Sequence, residues 1–126
     1  MDWKRQAFFR FVKIFPDQGW QQDIKAKVLQ HILIPSFANS FEKGEGEKLI
    51  GGPPAPDQDN SDNVISVFIN KVIDPDNPFG TSDAVRILLL QFSSLLVEQA
   101  SPHIHDAANK LVLYVNFVDI YIFSTI

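Results

Sequence analysis

The stretch Ser82-Asp-Ala-Val-Arg-Ile-Leu-Leu-Leu-Gln-Phe-Ser-Ser-Leu-Leu-Val-Glu-Gln99 decides the fold class. Val85, Leu88, Leu89, Phe92, Leu95 and Leu96 recur at intervals of three and four, the period of an α-helix with one buried side. Ile87 and Leu90 widen that side, which predicts a helix covered from more than one direction. Thr81 or Ser82 is placed to cap it, and Asp83 puts negative charge at the positive end of the helix dipole.

Upstream the same period returns. Ile65, Phe68, Ile69, Val72 and Ile73 predict a helix over 62–73, stopped by Asp74-Pro75, with Asn77-Pro78 and Gly80 making the turn. Ile24, Val28, Leu29, Ile32 and Leu33 predict another over 22–33, with Lys25 and Lys27 off the apolar stripe and Pro35 ending it. Ser36 is a plausible cap for a short helix to Lys43 through Phe37 and Phe41. Ala7, Phe8, Phe11, Val12 and Phe15 predict a first helix over 3–15, with Lys4, Arg5, Arg10 and Lys13 on its other side. Between these runs, Gly51 to Ser61 holds three prolines, two glycines and Asp57 and Asp59; such a segment is expected exposed and mobile.

Downstream the character changes. Leu111 to Phe123 is rich in β-branched and aromatic residues, which is strand composition. Read as a membrane anchor instead, it falls short of the roughly 18–20 apolar residues a spanning helix needs, and Asn116 and Asp119 interrupt it.

Five amphipathic helices with proline-marked stops fit an all-α segment of a HEAT-like α-solenoid, in which each pair leaves a side for its neighbour to cover. A closed helical bundle has the same periodicity. The organisation is therefore a helical segment over 1–106, with the Pro/Gly/Asp loop at 51–61, followed by an apolar tail over 107–126.

Composition narrows function. Of 126 residues, 45% are hydrophobic and 21% charged, and phenylalanine, with 11 copies, supplies most of the core bulk. The net charge of -4 is a poor match to direct nucleic-acid binding, which needs cations against phosphates. The balance is +2 over residues 1–50 and -6 over 51–126, too small a difference to mark a basic arm. Without cysteine there is neither a disulfide nor a thiolate ligand.

Three clusters carry ligand-like residue types. His103-Ile104-His105-Asp106 would present two imidazoles on one side of an extended strand, as zinc requires; with only His31 left as a further histidine, the preferred reading is histidines near the end of the preceding helix, bonded to its free carbonyls. Gly44-Glu45-Gly46 lacks the third glycine and the preceding strand of a dinucleotide loop. Asp57, Asp59, Asn60 and Asp62 miss the glycine and glutamate positions of a calcium-binding EF-hand loop. No nucleophile elbow, P-loop or metalloprotease motif occurs. The expectation is therefore no catalytic, cofactor-binding or metal-binding residue and no cofactor.

The runs Lys25-Ala-Lys-Val-Leu-Gln-His-Ile-Leu33, Ser40-Phe-Glu-Lys-Gly-Glu-Gly-Glu47 and Ser66-Val-Phe-Ile-Asn-Lys-Val-Ile-Asp-Pro75, with Arg86 to Glu98 and His103-Ile-His-Asp106, resemble the transformation/transcription domain-associated protein family. The resemblance covers roughly residues 5 to 106 in order. It implies a HEAT-type solenoid segment, upstream of a kinase-like domain that lacks catalytic residues. It also implies a nuclear scaffold of SAGA-type and MYST-type histone acetyltransferase complexes, whose partners are complex subunits and transcriptional activators. After Asp106 the family continues into a basic segment and further helices, so 107–126 departs from it; a truncated gene model, a read-through intron or an alternative isoform would account for that. A solenoid slice without capping repeats exposes apolar surface, so the isolated chain is expected to self-associate. The competing function is a small membrane-associated helical protein anchored by its tail.

Overall fold

The computed structural model describes residues 3–44, 64–76, 79–99 and 102–124, and among them there are helices and short turns but no strand. The helices are α1 (Trp3–Ile14), α2 (Gln22–Val28), α3 (Ile34–Glu42), α4 (Val64–Val72), α5 (Asp83–Val97) and α6 (Pro102–Ser124). A 3₁₀ turn, Phe15–Asp17, closes α1, and a π-helical turn, Leu29–Leu33, joins α2 to α3. The all-α, HEAT-like solenoid expectation holds. The loop expected at 51–61 lies outside the described residues.

The helices stand in two rows. In one, α4 packs between α1 and α6; in the other, α2 with its π-helical turn packs beside α5, and α5 and α6 share the most extensive contact. Phenylalanine rings fill the space between the rows. Phe8 meets Phe37 edge-on, Phe37 meets Phe92, Phe92 meets Phe68, Phe68 meets Phe79 and Phe79 meets Phe15, all with centroids 5.3–6.2 Å apart. Tilted and edge-on pairs at these distances suit the ring quadrupole. Phe15, Phe37, Phe68, Phe79 and Phe92 are among the fully buried side chains, so one continuous run of rings ties α1, α3, α4, α5 and the turn before α5 together.

Two expectations about continuity were wrong. Pro35 does not end a helix, and Ser36 caps nothing; the chain stays helical from Gln22 to Glu42. Proline has no N–H, and its ring meets the carbonyl four residues back in a regular α-helix. The π-helical turn just before it, in which Ile34 N–H bonds to Leu29 O, widens the backbone by one residue and accommodates the ring. The second error concerns residues 111–123, read as a strand, which form the second half of α6. Ile104, Ala107, Ala108, Leu111 and Val115 repeat at helical spacing and are buried, so packing outweighs intrinsic strand preference.

Burial also corrects the faces. Ala7 is exposed, as are Ile24 and Ile32, while Lys25 is buried. On α5, Val85, Leu88, Leu89, Phe92 and Leu96 are buried as expected, but Ile87 and Leu90, with Val97, face solvent. Ser82 is the cap of α5, its Oγ accepting from Val85 N–H at 3.2 Å. Lys71 of α4 reaches the end of α1, donating to Lys13 O at 2.6 Å and pairing with Asp17 at 2.5 Å, and so bonds a carbonyl that the helix end leaves open.

Candidate functional site

The polar groups that the fold brings together from far apart in sequence converge on the turn Phe79–Ser82. Gln22 Nε2 donates to Phe79 O at 2.9 Å, and Gln22 Oε1 accepts from Thr81 N–H at 2.9 Å and Ser82 N–H at 3.1 Å. Lys25, one turn further along α2, donates to Phe79 O at 3.1 Å and holds its ammonium 4.8 Å from the centre of the Phe79 ring. From α6, Tyr114 Oη accepts from Gly80 N–H at 3.2 Å. Gly80 has no room for a side chain: a Cβ there would come within 2.8 Å of Val85 Cγ1. The turn is thus held from both rows, with its backbone groups satisfied by side chains.

Burial pushes the Lys25 ammonium below its usual pKa of 10.5. The folded chain therefore gives up this proton more readily than the unfolded chain, which keeps it until about 10.5. In the interval between the two values the unfolded state binds more protons, so stability rises with pH there and falls as pH drops back through the folded value. Urea unfolding of the wild type and Lys25→Met, compared from neutral pH to about 10.5, should show a rise specific to the wild type. Parallel pH profiles for the two chains would contradict the assignment.

All these donors and acceptors are engaged by backbone groups, an arrangement that fastens elements rather than activating a nucleophile. The histidine cluster read from the sequence falls on a helix and not on an extended strand. Positions 103 and 105 lie in the first turn of α6, and positions two apart on a helix do not share a face. His105 Nε2 instead lies 2.5 Å from Gln99 O, beyond the end of α5, and Asp106 is exposed. His31 is exposed in the π-helical turn. Among the described residues no group of three or more His, Cys, Asp or Glu could hold a metal ion. Gly44, at a φ of 75°, takes the left-handed conformation that follows many helix ends; Glu45 and Gly46, and the acidic run at 57–62, lie outside the described residues. No helix among the described residues is long and apolar enough to cross a membrane.

Sequence reading missed Gln22, Lys25 and Tyr114. Each looks like an ordinary helix-surface residue until its partner, 34 to 60 residues away, is placed against it.

Two rows of amphipathic helices, joined by an apolar seam and pinned at a turn, define a helical-repeat protein of the HEAT class. Residues 1–117 match the family described as the Tra1 HEAT repeat ring region. The chain belongs to that family, and the match runs past Asp106 along α6 to residue 117. It is 58% identical over 103 residues to the transformation/transcription domain-associated protein of Danio rerio, covering 82% of this chain and 3% of that protein. It is 56% identical over 103 residues to the protein of the same name in Homo sapiens, with 82% and 3% covered. It is 56% identical over 112 residues to transcription-associated protein 1 of Drosophila melanogaster, with 87% and 3% covered. The chain thus spans about 3% of the length of these relatives. No solved structure matches it.

Proposed function

We propose that this chain is a non-catalytic scaffold segment of a nuclear transcription co-activator, part of a histone acetyltransferase complex of SAGA type. Its role there is to present helix faces to complex subunits and transcriptional activators. The observation that carries this reading is the match over residues 1–117 to a HEAT repeat ring, together with 56–58% identity to proteins named for transcription. The geometry supports it: the convergent polar side chains brace a backbone turn, and apolar residues stand on outer helix faces.

The test is fractionation of native extracts with an antibody raised against α5. Recovery of the reactive protein from nuclei, co-eluting with acetyltransferase activity on histones, is the expected result. Recovery from cytosol or membranes without that activity would overturn the proposal.

A further inference from the structure

We draw no further inference here: the strongest candidate, the apolar outer faces of α1 around Trp3 and Ile14 and of α5 around Ile87, Leu90 and Val97, carries nothing because nothing in the structure shows what covers them.

Discussion

Replacing Phe68 by alanine is expected to remove about 3–5 kcal/mol of stability, the range for truncating a fully buried ring. Phe68 has no solvent exposure and sits in the middle of the run of rings, 6.2 Å from Phe79 and 5.7 Å from Phe92. It is the side chain through which α4 touches both the pinned turn and α5. Closing the cavity would require α4 to move toward α5, but α4 is also held by α1 and α6 and by the Lys71 bonds at the end of α1. Relaxation is therefore limited, and the cost should fall in the upper part of the range. Domains have in all about 5–15 kcal/mol, so the variant should populate the unfolded state or lose cooperativity. Urea unfolding followed by circular dichroism measures this, with Trp3→Ala as the exposed aromatic control, expected within about 0.5 kcal/mol of wild type. A Phe68→Ala midpoint equal to that of Trp3→Ala would mean that the rings do not form the seam described.

The helices most legible in the sequence are those whose burial follows their own pattern. In α5 and α4, Leu88, Leu89, Phe92 and Ile65, Phe68, Ile69 are inward because an apolar stripe on one helix needs only a neighbouring apolar surface. Where a partner distant in sequence decides, the pattern misleads. Lys25 is buried and Ile24 exposed on α2 because the turn before α5 offers a carbonyl and a ring to a cation, information located more than 50 residues away. Pro35 reads as a stop because a π-helical turn leaves no mark in composition. Leu111 to Phe123 reads as strand because propensity is a weak preference, here outweighed by the spacing of Ile104, Ala108, Leu111 and Val115 against α5. The pinned turn is hidden for the same reason as Lys25: a glutamine, a lysine and a tyrosine on helices form no motif in the sequence, and only tertiary placement gives them a role.

That role can be separated into its parts. Gln22→Met keeps the length of the side chain and removes both its functions. Phe79 O keeps a donor in Lys25, but Thr81 N–H and Ser82 N–H lose their acceptor. Thr81 is exposed and can turn to water, whereas Ser82 is half-buried at the start of α5 and is less easily hydrated. One poorly solvated donor costs about 1–3 kcal/mol, so a loss of about 2 kcal/mol is expected, with faster amide exchange at Thr81 and Ser82 and unchanged exchange in α4. Lys25→Met at neutral pH should cost much less, because Gln22 still bonds Phe79 O and the desolvation of a cation is removed with the ammonium. In the double variant Phe79 O loses both donors and is left buried without either, a penalty that neither single change incurs. The two losses should therefore not add: the double variant should be less stable than their sum by about 1 kcal/mol or more. Strict additivity would show that Gln22 and Lys25 serve the turn independently, and that the carbonyl of Phe79 does not couple the two residues of α2 as the geometry requires.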